Sequence, residues 1–265
     1  MNYKTILFEV DPEGVAVATL NRPDNRNALD STMRREITEV FKETNDDPQI
    51  RALVITGAGS DYFSAGADQK ERKSGGAMSS EQIRSNHLHP ANALSAQLQR
   101  VEKPVLAAIN GICVGGGFAL AAGCDVLIGS ERARFRIAHA ALGVGILDAL
   151  GWLLPRHIGP QRTFELYATN RIMEAVEAKE IGLVLDIVPH AELMTEVLAL
   201  AHAFAAGPPL GMTMTKRAIL RGRTRDLDDY LEFERLAYQI CYYSEDSKEA
   251  RMAFLERRKP SYKGK

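Results

Sequence analysis

Short apolar runs alternate with amphipathic stretches over the first three quarters of the chain. The runs ILFEV and VAVATL flank the turn-forming DPEG and predict a hairpin of two strands. After the polar loop NRPDNRNALD, apolar residues recur three and four positions apart between Met33 and Phe41. This spacing predicts a helix, with Asp30 or Ser31 as its N-cap.

The alternation continues to about residue 190. Further strands are predicted for the runs RALVITG, VLAAING, VLIGS, ARFRIA and LVLDIVP, and helices for GGGFALAAGCD and the stretch that begins at Leu150. From Ala191 to about Ala253 the pattern is mainly helical. We therefore expect an α/β fold, with a core over residues 1–195 and a helical region over 196–265.

A doubly wound dinucleotide-binding fold is the natural competitor. That fold needs Gly-x-Gly-x-x-Gly between a strand and a helix, and an acidic residue about 20 positions later. NGICVGGGFAL lacks this spacing, and TGAGSDYFSAG approaches it only weakly. The sequence therefore favours a different α/β architecture.

The charge balance disfavours nucleic acid and membrane partners, because a net charge of -1 gives no overall basic field. One local basic stretch, TKRAILRGRTR, is either a solvated helix face or a site for a phosphorylated ligand or a partner subunit. The three cysteines have no metal-ligand spacing and fit free thiols in a reducing compartment. The N-terminus lacks the features of a signal peptide, so we expect a cytoplasmic protein.

Two glycine-rich segments carry the strongest chemical signal: YFSAGADQKE, residues 62–71, and INGICVGGGFALAAGCD, residues 109–125. Each places small residues between a predicted strand and a predicted helix, where backbone N–H groups are unpaired and negative charge is favoured. Two such turns that face one another would offer two N–H donors to one oxygen. That arrangement is an oxyanion hole, suited to an enolate or a tetrahedral alkoxide.

With these two segments, the sequence resembles the crotonase superfamily, also called the enoyl-CoA hydratase/isomerase family. The other matching motifs are LNRPDNRNAL, AKEIGLV and EARMAFLERRKPSY, and the set covers nearly the whole chain in the expected order. The resemblance implies a spiral of ββα units and a C-terminal helical region that builds trimers, often paired into hexamers. It also implies an acyl-CoA substrate, with no cofactor beyond the coenzyme A of the substrate itself.

The resemblance also assigns site residues. The backbone N–H groups of Ala67 and Gly116 would be the oxyanion donors. The positions implied to bind substrate or CoA are Asn27, Ala65, Asp68, Lys70 and Gly115.

The chain departs from this family at two positions. Hydratases of the family use two glutamates, one in the pattern GGG-x-E and one in F-x-x-x-E-x-x-L-G. Here those patterns read GGGFA and FRIAHAALG, so the positions are Ala119 and His139. Hydration needs a base for the water and an acid for the carbon, and alanine supplies neither. Enoyl-CoA hydration at full rate is therefore not expected.

His139 and Asp148 lie nine positions apart in an otherwise apolar segment. This pair resembles the His and Asp of 6-oxocamphor hydrolase, a β-diketone hydrolase of the same superfamily, which cleaves a carbon–carbon bond by a retro-Claisen reaction. The resemblance implies that His139 takes a proton from water and that Asp148 orients it, with Glu234 as a further pocket acid. It is partial, because that hydrolase has histidines where this chain has Arg34 and Gly116.

Each residue of this pair also has a purely structural interpretation. His139 would be a core histidine with its nitrogens satisfied by the backbone, and Asp148 would be a helix N-cap. Three functions therefore stay open: a carbon–carbon hydrolase acting on a β-diketone or β-keto acyl-CoA, an enoyl-CoA hydratase or isomerase that has moved its acid or base to Asp148 or Glu234, and a non-catalytic acyl-CoA-binding assembly protein. His87 and His89 either touch substrate or are exposed. Their i, i+2 spacing on a helix gives no shared face, so no metal site is expected.

Overall fold

The computed structural model describes residues 3–74 and 90–265, so His87 and His89 lie outside the described residues. Its strands form a six-stranded sheet in the order β1-β2-β3-β5-β7-β10 and a four-stranded sheet in the order β4-β6-β8-β9. The strands are β1 (Ile6–Val10), β2 (Val15–Leu20), β3 (Ala52–Gly57), β4 (Tyr62–Ser64), β5 (Val105–Ile109), β6 (Ile112–Val114), β7 (Val126–Ser130), β8 (Arg134–Arg136), β9 (Met173–Glu174) and β10 (Asp186–Val188).

The helices of the described residues pack against these sheets or follow them at the C-terminus. They are α1 (Ser31–Asp46), α2 (Gln69–Ser74), α3 (Pro90–Leu98), α4 (Gly116–Ala122), α5 (Leu150–Thr169), α6 (Ala175–Glu180), α7 (Leu193–Ala205), α8 (Pro209–Gly222), α9 (Leu227–Tyr242) and α10 (Glu245–Glu256). The structure is thus of the mixed α/β class, with parallel strands in both sheets and helices at the C-terminus, as the sequence pattern predicts.

The chain spirals because consecutive strands alternate between the two sheets. The pairs β3 and β4, β5 and β6, and β7 and β8 each give one strand to the large sheet and the next to the small sheet. Successive turns of the spiral pair in parallel, so β3, β5 and β7 are neighbours in one sheet and β4, β6 and β8 in the other. The segments that follow β4, β6 and β8 are therefore stacked on one another.

Local chemistry explains where the first helix begins. Asp30 is its N-cap and accepts a hydrogen bond from the N–H of Met33 at 2.8 Å. The buried face of α1 includes Met33, Ile37 and Phe41, which join the main apolar core. The predicted hairpin of β1 and β2 is also confirmed, with five antiparallel residue pairs.

Helix α7 covers the outer face of the large sheet. Its buried residues Val197, Ala201 and Ala205 pack in a second apolar cluster with β-strand residues such as Val54 and Leu106. The predicted boundary between residues 195 and 196 falls inside this helix. The helices that leave the sheet therefore begin at α8, because the apolar face of α7 is part of the core.

No single helix in residues 3–74 and 90–265 has the length and apolarity to cross a bilayer. The bent pair His190–Ala205 and Pro209–Gly222, at 106°, passes that test on length and composition only. The uncharged run from Pro104 to Cys124 forms β5, β6 and α4.

One partly buried contact, between Asp11 and His202, joins α7 to the first hairpin and makes stability depend on pH. Burial opposes ionisation of Asp11, but hydrogen bonds from His202 and from the N–H groups of Val15 and Glu13 outweigh it and hold the pKa of Asp11 below its ordinary value. A carboxyl whose folded pKa is lowered stabilises the fold above its unfolded pKa, and this contribution is lost as the pH falls through the lowered value.

We therefore expect Asp11→Ala to lower the free energy of unfolding by about 1–2 kcal/mol at pH 7. The deficit relative to the unmodified chain should shrink as the pH falls below about 4. Urea titrations at several pH values measure this, with the exposed Glu13→Ala as the control. A deficit that persists unchanged at acidic pH would contradict the assignment.

Candidate active site

The loop before α1 is held by an asparagine whose side chain is wholly internal. Asn27 is 0% exposed and has a left-handed backbone, with φ 52°. Its Oδ1 accepts from the N–H of Arg22 at 3.0 Å, and its Nδ2 donates to the carbonyl oxygens of Ala58 and Tyr62. Asn27 therefore ties this loop to the chain around β4 and has no exposed surface for CoA.

Arg22 connects the same loop to the first glycine-rich turn. Its guanidinium donates to the carbonyl of Ala28 at 2.6 Å and lies 3.1 Å from the carboxylate of Asp30 and 3.0 Å from that of Asp68. Burial opposes ionisation of Asp68, yet Arg22 and the N–H groups of Lys70 and Glu71 lower its pKa. The Asp68 carboxylate, predicted to bind substrate or CoA, is thus occupied in holding its own turn.

The two glycine-rich turns lie against each other. Gly66 has φ +81°, and a Cβ at this position would lie 2.6 Å from the carbonyl oxygen of Val114 and 3.1 Å from the nitrogen of Gly116. No side chain fits there. The glycine at position 66 therefore allows the turn after β4 to approach the turn after β6 at backbone contact distance.

The local hydrogen bonding leaves the backbone N–H groups of Ala67 and Gly116, which are predicted as oxyanion donors, available to a ligand. Ala67 forms an isolated bridge with Leu29. In this bridge, the N–H of Leu29 donates to the carbonyl oxygen of Gly66 and the N–H of Asp68 donates to that of Leu29. Neither hydrogen bond uses the N–H of Ala67. Gly116 is the first residue of α4, where N–H groups have no partner within a helix. The two donors come from adjacent turns at the positive end of a helix dipole.

His139 and Asp148 meet beside Gly116. His139 is 7% exposed and Asp148 is 4% exposed, and His139 Nε2 lies 3.7 Å from Asp148 Oδ2. That separation is within ion-pair range and longer than a hydrogen bond. A Cβ on Gly116 would lie 3.4 Å from Asp148 Oδ2 and 3.3 Å from Arg34 Nη2. The pair therefore stands next to the predicted oxyanion donor.

Arg34 supplies the positive charge that a buried carboxylate requires. Its Nη1 lies 3.9 Å from Asp148 Oδ1, while the other oxygen of Asp148 faces His139. Burial of an ionised carboxylate without a partner is unfavourable by several kcal/mol. Arg34 lies in the first turn of α1, 114 positions before Asp148, and sequence reasoning singled it out only as a departure from the hydrolase.

The backbone around the pair is strained. Ala138, Asp148 and Ala149 have φ values of 62°, 59° and 61°, in the left-handed region that residues with a Cβ rarely adopt. Ser95 Oγ donates to the carbonyl of Asp148 at 2.9 Å and helps hold this conformation. Strain of this kind concentrates at functional sites.

The helix that follows gives no support to a capping role for Asp148. Its N-cap is Ala149, with no side-chain hydrogen bond. Within residues 3–74 and 90–265, Asp148 Oδ1 and His139 Nδ1 are buried without a hydrogen-bond partner. The alternative of a core histidine with both nitrogens satisfied is therefore wrong as well.

The remaining predicted residues fall into two groups. Ala65 and Gly115 lie in the facing turns, where their N–H groups donate to the carbonyls of Arg26 and Arg136, and the side chain of Lys70 is exposed. Glu234 lies exposed on α9, and its carboxylate accepts a hydrogen bond from Tyr230 at 2.7 Å. The structure therefore pairs Glu234 with Tyr230, outside the cluster of His139 and Asp148.

The basic stretch of residues 215–225 makes several internal contacts. Lys216 pairs with Asp125 at 2.7 Å, and Arg217 pairs with Glu102. Arg221 lies over the ring of Phe233 at 4.4 Å. These contacts favour the interpretation of a helix face over that of a phosphate site.

Arg34→Met should destabilise the fold, because it leaves Asp148 buried without its cation. We expect a loss of about 2–4 kcal/mol in the free energy of unfolding. Arg35→Met is the matched control, since Arg35 is the next residue, is exposed and pairs with Glu39 on the surface. We expect the control to change stability by less than about 0.5 kcal/mol. Equal effects of the two substitutions would show that Arg34 does not compensate Asp148.

Comparison with known proteins agrees with this architecture. The family model for enoyl-CoA hydratase/isomerase matches residues 11–265. The short-chain-enoyl-CoA hydratase of Clostridium acetobutylicum is 36% identical over 98% of this chain and 97% of that protein, and the 1,2-epoxyphenylacetyl-CoA isomerase of Escherichia coli is 34% identical over 98% of each. The crystal structure of an enoyl-CoA hydratase from Bacillus anthracis superposes with a TM-score of 0.93 at 34% identity, over 99% of this chain and 100% of that chain. The chain is therefore an enzyme of the enoyl-CoA hydratase/isomerase family, in the crotonase superfamily.

Proposed function

We propose that this enzyme hydrolyses a carbon–carbon bond of a β-keto acyl-CoA or a related β-diketone through an enolate. The observation that carries the proposal is the buried pair of His139 and Asp148 beside Gly116, at 3.7 Å from each other. A base next to an oxyanion hole is the arrangement that enolate chemistry needs. An acyl-CoA substrate is consistent with the names of the relatives above.

The N–H groups of Ala67 and Gly116 would hold the thioester oxygen. As the carbon–carbon bond breaks, negative charge develops on this oxygen. Two preorganised donors stabilise it more than they stabilise the neutral carbonyl, and such a donor is typically worth roughly 10²–10³ in rate. The helix dipole of α4 acts in the same direction.

His139 would act as the general base. Asp148 faces Nε2, and Nδ1 is buried without a hydrogen-bond partner among the described residues, so Nδ1 would take a proton from a water molecule enclosed in the site with the substrate. The resulting hydroxide adds to the keto carbon and forms a tetrahedral alkoxide. The bond from this carbon to the α carbon then breaks, its electron pair becomes the thioester enolate, and the keto carbon leaves as a carboxylic acid. The protonated His139 returns its proton to the α carbon, so these reaction steps need no resident cofactor.

Position 119 is the physical reason for preferring hydrolysis over hydration. Ala119 is 1% exposed and packs within the apolar core, so its methyl group gives no acid or base. Hydration of a double bond needs both. A single buried base with an orienting carboxylate suits water addition to a carbonyl, in which the same group can take and return one proton.

The second candidate is an enoyl-CoA hydratase or isomerase with its acid or base at Asp148. The names of the similar proteins favour this candidate. It differs from the first in its product, because it leaves the carbon chain intact. A protein that only binds acyl-CoA has no need of the strained pair, and membership of an enzyme family further disfavours it.

The C-terminal helices support the proposal of a homotrimer or a hexamer of two trimers. In helices α8 to α10 the apolar side chains are largely exposed. Tyr238, Ile240, Tyr242, Met252, Phe254 and Leu255 are among them. Large exposed apolar surfaces mark interaction sites.

A cytoplasmic location is part of the same proposal, because Cys113 and Cys124 are buried free thiols, and burial raises the pKa of each.

His139→Ala should lower kcat for the cleavage of β-keto acyl-CoA by roughly 10²–10⁴-fold, because the general base is lost. The melting temperature should change little. His190→Ala, on the turn before α7, is the control and should keep full activity. Steady-state assays over a panel of β-keto acyl-CoAs measure both variants. Activity retained in His139→Ala would rule out His139 as the base.

Assembly is tested by light scattering after size exclusion. The measured mass should be three or six times that of one chain. Phe254→Glu, at a side chain 83% exposed in the single chain, should reduce that mass by placing a charge in an apolar interface. A monomeric mass for the unmodified protein at micromolar concentration would contradict the proposed assembly.

A further inference from the structure

Helix α3 and the residue after it contact both halves of the candidate active site. One half is α4, which begins at Gly116, and the other is the start of α5, which Asp148 precedes. Gln99 Nε2 donates to the carbonyl of Gly123 at 2.9 Å, where α4 ends. One turn earlier, Ser95 Oγ donates to the carbonyl of Asp148 at 2.9 Å. One short helix therefore joins the end of α4 to the beginning of α5.

The packing of α3 against the end of α4 is close. A Cβ on Gly123 would lie 2.6 Å from Cδ2 of Leu98, so the missing side chain lets α3 lie directly against this end of α4. Leu98 is buried and belongs to the main apolar core. The core thus sets the position of α3, and Ser95 reaches Asp148 from a fixed place.

Ser95 is a buried serine in the middle of α3. A serine inside a helix usually turns its hydroxyl to solvent or bonds the carbonyl four residues before it. Here the hydroxyl donates to a carbonyl 53 positions away in the sequence. Alanine would suit a buried helix face better by propensity, so the contact with Asp148 is what explains a serine at this position.

Asp148 depends on this contact because little else holds its backbone. Asp148 and Ala149 both have left-handed backbones, which residues with a Cβ leave unless their surroundings hold them. The contacts of the carboxylate with His139 and Arg34, at 3.7 and 3.9 Å, are longer than hydrogen bonds. Within the described part of the chain, the bond from Ser95 is the one hydrogen bond that Asp148 makes.

We propose that Ser95 is a positioning residue: it holds the backbone of Asp148 so that the carboxylate stays beside His139 and Gly116. The proposal rests on the proposed function, in which Asp148 orients the base. It extends the working site to α3. Ser95 acts through Asp148 and does not touch the reacting atoms.

Ser95→Ala should lower kcat for the cleavage of β-keto acyl-CoA by roughly 10–100-fold, because a small displacement of an orienting group is enough to misplace the base. KM should stay within about twofold, since the oxyanion donors are unchanged. Ser95→Thr keeps the hydroxyl and should restore most of the activity. The added methyl group has room, because Ser95 lines an open cavity between α3 and α5.

Ser130→Ala is the matched control. Ser130 is also buried, and its hydroxyl also donates to a main-chain carbonyl, that of Asn110 at 3.2 Å. Each alanine variant loses one buried hydrogen bond, so both melting temperatures should fall by about 2–4 °C. Only Ser95→Ala should lose kcat. Equal kcat values in the two variants would overturn the positioning role.

A double-mutant cycle tests whether Ser95 acts through Asp148. In an enzyme that already carries Asp148→Asn, the further change Ser95→Ala should leave kcat unaltered, because the group that Ser95 positions is already lost. Losses that multiply would show that Ser95 acts independently of Asp148, and would overturn the proposal.

A failure of the proposed function is recognised separately. An unmodified enzyme that hydrates an enoyl-CoA and leaves β-keto acyl-CoA intact would reject the proposed function. The same variants would then be compared in hydration, where Asp148 would be the acid or base, with the same expected order of kcat values.

A readout without substrate completes the test. The imidazole NMR signal of His139 is identified by its absence in His139→Ala. It should shift in Ser95→Ala, because the carboxylate beside the ring moves, and should stay in place in Ser130→Ala. An unshifted signal in Ser95→Ala would overturn the positioning role whichever reaction the enzyme catalyses.

Discussion

The backbone contact between the two glycine-rich turns is the constraint on which the site depends. Gly66 reaches within van der Waals distance of Val114 and Gly116 because it has no side chain. The packing continues one residue further, where a Cβ on Gly117 would lie 2.6 Å from that of Ser64. The spiral stacks β4 on β6, and the glycines allow the turns after them to meet. Residues far apart in sequence thereby present N–H groups to one place.

The second constraint is the negative charge of the Asp148 carboxylate, which is buried away from solvent. Asp148 is nearly inaccessible to solvent and has a left-handed backbone, which are two unfavourable features in one residue. Arg34 offsets the charge, and Ser95 binds the backbone carbonyl. A residue kept in an unfavourable conformation and environment is typical of a functional site. His139 lies beside Asp148 and is the group whose protonation the carboxylate can influence.

Much of the fold follows from the pattern of apolar residues. The first hairpin, the capped helix α1 and the buried strand β3 have strong periodicity and appear as predicted. Strands β4 and β6 have three residues each, too few for a period to be read, and their pairing is settled by the spiral. The predicted end of the core at residue 195 falls inside α7, because α7 has the same helical pattern as the helices that follow it.

The site was only partly predictable for a similar reason. The glycine turns and the spacing of His139 and Asp148 are visible as local motifs. Asn27 and Asp68 are also in local motifs, yet their polar groups hold the loop and turn in place. The contact of Arg34 with Asp148 joins two elements that only the folded chain brings together, so no local spacing signals it.

The most direct measurement offers the enzyme a β-keto acyl-CoA and the matching enoyl-CoA together in H₂¹⁸O, with mass spectrometry of all products. The proposed chemistry predicts ¹⁸O in a released carboxylic acid and a shortened acyl-CoA without label. Label in a hydroxyl group on an acyl-CoA of full length, with no shortened product, would contradict it and identify the enzyme as a hydratase.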